Sequence, residues 1–134
     1  MRNFDYESVA SFEEASTLLK NTESGKAVAI AGGTDLVGVM KEKILKKAPE
    51  KVVNLKTIQD GDYIKEEGNS IEIGTLTKLT KIVENPEIAK GAAAVQEAAK
   101  SIASPIIRNE GTIGGNLCQD VRCWFYRYPN GIGG

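Results

Sequence analysis

The chain has 134 residues, of which 41% are hydrophobic and 26% charged, a profile that fits one globular domain and excludes a disordered or fibrous protein. Its 17 basic and 18 acidic residues give a net charge of -1, so we expect no nucleic-acid partner. No apolar run approaches the ~20 residues that span a bilayer, and the acidic N-terminus is unlike a signal peptide. We therefore expect no membrane insertion and a cytoplasmic location.

The chain contains no histidine. This excludes Ser-His-Asp and Cys-His catalysis and zinc sites with imidazole ligands within the chain. Acid–base chemistry would fall to carboxylates, lysines, tyrosines or a cofactor, and we expect no catalytic side chain.

The first half of the chain alternates helices and strands. Ser11 caps a predicted helix over 11–21, and Glu14 completes a capping box. The apolar run 27–31 predicts a fully buried strand that ends in a glycine pair. A helix over about 35–45, capped by Thr34 or Asp35, and a short strand over 52–55 follow.

The second half begins with a predicted hairpin, 63–67 and 70–73, around Gly68-Asn69. Helices are predicted over 77–84, capped by Thr77, and over 87–103, where alanines favour one continuous helix. A glycine-rich tail completes the chain. The element order predicts a mixed α/β fold.

The segment AGGTDL, residues 31–36, joins the predicted strand 27–31 to the next helix. Its two glycines lack the Cβ atoms that keep a ligand away from the backbone, and amides at a helix start favour a phosphate. One interpretation is a pyrophosphate cradle, and the other is an ordinary strand-to-helix turn. The segment fits neither G-x-x-x-x-G-K-[ST] nor G-x-G-x-x-G, which disfavours a P-loop nucleotidase and a Rossmann dehydrogenase.

The segment IRNEGTIGGNL, residues 107–117, contains a second glycine pair with polar residues on both sides. Alone, it could be a turn packed against the alanine-rich helix. Two such loops in one small domain suggest a diphosphate held from two sides.

These two motifs, in this order, resemble the FAD-binding subunit, or medium domain, of the molybdenum hydroxylases, the family of xanthine dehydrogenase, carbon monoxide dehydrogenase and 4-hydroxybenzoyl-CoA reductase. FDYESVASFEEASTLL and VVNLKTI fit the same family, with Val9 where proline is usual. The resemblance covers essentially the whole chain. It implies the N-terminal portion of an FAD-binding fold like that of vanillyl-alcohol oxidase and p-cresol hydroxylase, with subdomains at 1–56 and 57–134.

The resemblance also implies the cofactor-binding residues. One wall of the FAD site would comprise Ala29, Ile30, Ala31, Gly32, Gly33, Thr34, Asp35 and Leu36, mainly through backbone amides. The second wall would comprise Thr112, Gly114, Gly115 and Asn116. Ile107 and Arg108 would position that second wall.

As a member of this family, the chain would be the flavoprotein component of an oxidoreductase. A partner subunit would carry molybdopterin, and another would carry [2Fe–2S] centres that exchange electrons with FAD. NAD or another molecule would be the external acceptor. The alternatives are an interaction module that has lost flavin and a phosphate-ligand-binding domain unrelated to flavin.

The segment NLCQDVRCWFYRY, residues 116–128, resembles a subset of the family that holds an additional [4Fe–4S] cluster there. Cys123 would be one ligand, whereas Cys118 matches a position that need not be cysteine. Family members normally run to twice this length, so the resemblance implies that the fold is incomplete at the C-terminus and that the rest, with the other cluster ligands, comes from further sequence or a partner chain.

Overall fold

The computed structural model describes residues 2–45 and 47–127 and has the predicted mixed α/β architecture. In this part of the chain, three parallel strands form a sheet in the order β1-β3-β2, and two antiparallel strands form a hairpin. The strands are β1 (Asp5–Ser8), β2 (Ala27–Ile30), β3 (Lys51–Asn54), β4 (Ile64–Glu67) and β5 (Ser70–Ile73). The helices are α1 (Phe12–Asn21), α2 (Leu36–Glu42), α3 (Leu79–Glu84), α4 (Pro86–Gly91), α5 (Ala93–Ser101), α6 (Pro105–Glu110), α7 (Ile113–Cys118) and α8 (Trp124–Arg127).

The predicted Ser11 cap and the predicted hairpin turn both form, but the Glu14 carboxylate binds the amide one residue before the cap rather than that of Ser11. The Glu14 amide donates to Ser11 Oγ at 3.1 Å, and the Glu14 carboxylate accepts the Ala10 amide at 2.7 Å. At the hairpin turn, Gly68 has a φ of +62°, a left-handed conformation that glycine adopts without a steric penalty.

Strand β2 lies at one edge of the sheet and pairs in parallel with β3, from Ala27 opposite Lys51 to Ile30 opposite Asn54. The prediction that this strand is fully buried is wrong, because Ala29 is exposed and the other residues are half-buried. The central strand β3 is the buried one, with Val52 and Val53 inside the core. The edge position leaves one side of β2 open to a cleft.

Buried side chains form two clusters. Val9, Ala15, Val53, Ile58 and Leu76 pack beside the parallel sheet. Leu79, Ile82, Ile88 and Ala99 pack between the hairpin and helices α3 to α5. The division into subdomains after residue 56 stays a prediction, and residues 128–134 of the second predicted subdomain lie outside the described residues.

Three predicted helices differ from the observed ones. Helix α3 begins at Leu79, because the Thr77 hydroxyl is already bonded to the Tyr63 amide at 3.1 Å and carbonyl at 3.0 Å and cannot serve as a cap. Helix α2 ends at Glu42, because Lys43 takes a left-handed conformation.

The predicted helix over 87–103 is two helices. Gly91, a weak helix former, ends α4, and the Ala92 amide closes that helix on the Ile88 carbonyl at 2.8 Å. After this break, the Gln96 side chain donates to the Val83 carbonyl at 2.7 Å, which holds α5 against the end of α3.

Among the described residues, no helix combines the length and apolarity that a bilayer crossing requires.

Candidate functional site

The first glycine loop follows β2 at the edge of the parallel sheet and leads into α2. Gly33 has a φ of +73°, which turns the chain sharply at a conformation that a side chain would strain. The amides of five consecutive residues, Gly32 to Leu36, donate no hydrogen bond to any other described residue. Successive unpaired amides in a turn of this kind form a concave anion-binding surface.

The second glycine loop connects α6 to α7 through Gly111 and Thr112. Thr112 caps α7, since its hydroxyl accepts the Gly115 amide at 3.1 Å. The Gly114 amide donates to the Thr75 carbonyl at 2.9 Å. The Gly111, Ile113 and Asn116 amides also donate to backbone carbonyls, whereas the Thr112 amide donates to no other described residue. Because five of the six amides from Gly111 to Asn116 are used inside the protein, the loop offers mainly a close-fitting surface.

The two loops are in direct contact at Gly32 and Gly111, although these residues are 79 positions apart in the chain. A Cβ placed on Gly32 would collide with the Glu110 carbonyl oxygen and would lie 2.9 Å from Gly111 Cα. Glycine at position 32 is therefore required by the approach of the second loop. The structure thus brings together the two motifs that the sequence places far apart.

A cleft of about 330 Å³ opens between the loops, a size typical of ligand sites. All eight residues of the first predicted wall line it. Of the second group, Ile107, Thr112, Gly115 and Asn116 line it, and Arg108 and Gly114 do not. Apolar residues outside the two predicted walls also line the cleft, namely Val28, Val39, Leu45, Leu79, Ile102 and Ala103.

Gly114 is required for close packing against Thr75. A Cβ at this position would collide with the Thr75 hydroxyl and lie 2.7 Å from the Thr75 carbonyl oxygen. The glycine pair thus has two separate uses: Gly114 allows α7 to pack on the segment before α3, and Gly115 faces the cleft.

Arg108 holds the chain between α5 and α6. Its guanidinium donates to the carbonyls of Lys100 at 3.1 Å, Ile102 at 2.8 Å and Ala103 at 3.3 Å. Ala103, which lines the cleft, has a φ of +44°, unusual for a residue with a Cβ. Arg108 thus acts on the cleft by fixing a strained segment of its wall.

A third wall comes from residues 118–122, of which Cys118, Gln119, Asp120 and Arg122 line the cleft. Arg127 ties this segment to the first loop: its terminal nitrogens donate to Asp35 Oδ1 at 2.9 Å and Oδ2 at 3.0 Å. This pairing raises the pKa of the Arg127 guanidinium, chiefly through the hydrogen bond to Asp35. Sequence reasoning missed this wall, because nothing local to Arg127 indicates a partner at position 35.

A family described as "FAD binding domain in molybdopterin dehydrogenase" matches residues 2–122. This chain belongs to that family.

Relatives within the family support the same assignment. The nicotinate dehydrogenase FAD-subunit of Eubacterium barkeri is 39% identical over 117 residues, which are 87% of this chain and 39% of the relative. The carbon monoxide dehydrogenase medium chain of Hydrogenophaga pseudoflava is 35% identical over 114 residues, 85% of this chain and 39% of the relative. The chain therefore spans about two fifths of the length of these relatives.

A solved structure shows the same fold. Carbon monoxide dehydrogenase from Hydrogenophaga pseudoflava, in a form that lacks the Mo-pyranopterin moiety of its cofactor, superposes with a TM-score of 0.81 at 34% identity. The match covers 87% of this chain and 39% of that one. The fold is thus the FAD-binding fold that the resemblance implied.

The residues of the cleft fit the cofactor that the family name implies. The diphosphate of FAD is a dianion, and the five unpaired amides of the first loop are suitable donors for it. Because Gly32 has no side chain, the backbone of the second loop packs directly against the first loop. The cleft therefore combines amide donors suited to a diphosphate with an apolar lining.

The two cysteines are both exposed and unbridged, and Cys118 lines the cleft whereas Cys123 does not. Within residues 2–45 and 47–127, no group of three or more His, Cys, Asp or Glu side chains is placed to hold a metal ion. The predicted [4Fe–4S] cluster has no support in this part of the chain.

Proposed function

We propose that this chain forms the diphosphate-binding part of the flavoprotein subunit of a multisubunit molybdenum hydroxylase. FAD would exchange electrons with [2Fe–2S] centres on one partner, which receive them from a molybdopterin partner, and with NAD or another external acceptor. The observation that carries the proposal is the row of unpaired amides, Gly32 to Leu36, closed by the second glycine loop.

Each wall has a separate task in this proposal. The amides of the first loop bind the diphosphate, and the exposed Thr34 hydroxyl is a further donor beside them. Thr112 fixes the start of α7, which places Gly115 and Asn116 at the cleft. Arg108 holds the wall at Ala103. Bound FAD supplies the redox chemistry, while the protein orients it and excludes water from one side.

Flavin binding by the whole chain tests this function. The protein is incubated with FAD, passed through a desalting column and examined for flavin absorbance that elutes with the protein. We expect a yellow protein at a stoichiometry that approaches one FAD per chain. A colourless protein would favour an interaction module that has lost flavin, and equal affinity for a mononucleotide and FAD would favour a phosphate-ligand-binding domain.

The external acceptor is tested on the assembled, FAD-loaded complex, because this chain spans only 39% of the relatives' length. If NAD is the acceptor, anaerobic addition of NADH should bleach the flavin by running the transfer in reverse. Retention of the flavin colour with NADH, but not with dithionite, would remove NAD from the proposal.

The remainder of the flavoprotein is also part of the proposal. Because the chain spans 39% of the relatives' length, we propose that further sequence or a second chain covers the rest of the flavin. Cys123 would become a [4Fe–4S] ligand only if such a segment supplies the other thiolates, since two cysteines cannot hold a four-thiolate cluster. In the assembled complex, Cys123→Ser should lower the iron and acid-labile sulfide content by about four atoms each, leaving that of the partner's [2Fe–2S] centres, and Cys118→Ser should lower neither.

The cytoplasmic location belongs to the same proposal, and cell fractionation tests it. Recovery of the assembled complex with cytoplasmic marker enzymes is the expected result.

A further inference from the structure

A carboxylate stands within the row of unpaired amides. Asp35 contributes one of these amides, lines the cleft, and has a side chain that is only 18% exposed. Its carboxylate makes no capping bond to α2, although the residue occupies the N-cap position. An unneutralised carboxylate here would repel a diphosphate and would weaken the anion site that the backbone forms.

Arg127 neutralises the Asp35 carboxylate. Its guanidinium makes a two-pronged pair with the Asp35 carboxylate and is itself only 14% exposed. The remaining donors reach the carbonyls of Val121 at 2.7 Å and Asp120 at 2.6 Å. One side chain therefore neutralises the carboxylate in the first loop and fixes the third wall at the same time.

Arg122 lies on that third wall and is the only basic residue among the described residues that line the cleft. Its Nε is 3.4 Å from Asp35 Oδ1, and its side chain is 62% exposed. This contact uses Nε, and the two terminal nitrogens of Arg122 donate no hydrogen bond to a described residue. Because Arg127 already pairs with both Asp35 oxygens, Arg122 has donors left for a ligand.

The fourth charged group at this end of the cleft is Asp120. Its carboxylate accepts the Val121 amide at 2.8 Å and the Tyr126 hydroxyl at 3.3 Å. The two carboxylates and two guanidinium groups sum to zero charge. Loss of either arginine leaves a net negative charge beside the amides, which opposes a dianionic ligand.

We propose that Arg122 contacts the diphosphate of the bound dinucleotide and that Arg127 is the positioning residue that neutralises Asp35 and holds Arg122 at the cleft. This inference rests on the proposed FAD-binding function. It assigns diphosphate recognition to a side chain of the third wall in addition to the backbone of the first loop.

The contact by Arg122 is tested with Arg122→Gln in the full chain. A charge-assisted hydrogen bond at an exposed position predicts an affinity for FAD and for ADP that is about three- to tenfold weaker. The salt dependence of FAD binding should also be shallower, because one cation–phosphate contact is lost. The melting temperature without ligand should not change. The matched control is Arg2→Gln, which removes the same charge from an exposed residue that does not line the cleft.

The neutralising role of Arg127 is tested by rescue. Arg127→Gln should weaken FAD binding about tenfold, because a partly buried carboxylate loses its partner. The double variant Asp35→Asn with Arg127→Gln should regain most of the affinity, since the repelling charge is gone. A purely structural tether would not be rescued, because both variants lack the ion pair.

The outcomes separate this inference from the proposed function. A wild-type chain that binds no FAD contradicts the proposed function and, with it, the inference. A wild-type chain that binds FAD, with Arg122→Gln equal to Arg2→Gln in affinity and salt dependence, overturns the contact by Arg122. If the double variant stays as weak as Arg127→Gln while both keep the wild-type circular dichroism spectrum, neutralisation by Arg127 is overturned.

Discussion

Substitution of Gly32 by alanine should force the two glycine loops apart. The new Cβ would collide with the Glu110 carbonyl oxygen and lie 2.9 Å from Gly111 Cα, where ordinary contacts begin near 3.4 Å. Relief therefore requires a main-chain movement of about 0.5 Å or more, since no flexible side chain is available to yield.

The expected loss of stability follows from this geometry. Overpacking costs about 1–3 kcal/mol, and the upper end applies because the colliding atoms belong to the backbone. Alanine recovers up to about 1 kcal/mol by reducing the entropy of the unfolded chain. The net change of about 2 kcal/mol corresponds, at this chain length, to a melting temperature lower by about 6–8 °C. Displacement of the second loop should also weaken FAD binding by about tenfold, which equals ~1.4 kcal/mol.

Thermal denaturation and FAD titration check this prediction, and Gly38 provides the matched control. Gly38 lies inside α2 with no atom within 4 Å of its ideal Cβ. Gly38→Ala should therefore raise stability by about 0.5–1 kcal/mol and leave FAD affinity unchanged. If Gly32→Ala behaves like Gly38→Ala in both assays, the loops are not in contact and the described cleft is incorrect.

Three further substitutions test other parts of the site. Gly114→Ala should lower stability by about 2–3 kcal/mol through the collision with Thr75, and an unchanged melting temperature would contradict that packing. Ala103→Gly should raise the free energy of unfolding, measured by chemical denaturation, by about 0.5–1 kcal/mol. The relief of the left-handed strain exceeds the cost of the greater unfolded-state entropy of glycine. A lower free energy of unfolding would show that Ala103 is unstrained. Burial raises the pKa of Tyr126, and the neighbouring Asp120 carboxylate raises it further. The protonated phenol therefore stabilises the fold below the unfolded pKa of about 10, and this stabilisation is lost as the pH rises through the higher folded pKa. In a spectrophotometric titration, the tyrosine that ionises above the usual pKa in the wild type should be missing from Tyr126→Phe. If the missing tyrosine is instead one that ionises at the normal pKa, the shift is refuted.

Local patterns were sufficient where one segment carries its own signal. The capping box at Ser11 and Glu14 fixes the start of α1, and the Gly68-Asn69 turn fixes the hairpin, because the groups involved are only a few residues apart. The glycine loops could also be predicted, since the absence of Cβ atoms is a property of a short stretch of sequence.

Other elements depend on distant partners. Strand β1 carries no alternating pattern and exists because β3 pairs with it from Asp5 opposite Lys51 to Ser8 opposite Asn54. Thr77 has the sequence signature of a helix cap, but the Tyr63 backbone takes its hydroxyl. The local sequence around Thr77 does not reveal this competing partner, so it predicts a cap that the folded chain does not form.

For this protein, the sequence by itself determined the types of the elements between residues 11 and 103, the two glycine loops and the family, because these follow from periodicity and from motifs confined to short segments. It did not predict β1 or the short helices α6 to α8, which stand where only a glycine-rich tail was expected. Only the tertiary structure decided that Gly32 touches Gly111, that Gly114 packs away from the cleft, and that Arg127 reaches Asp35. These contacts join residues far apart in the chain, and their energies depend on close packing and charge pairing, which no local pattern encodes.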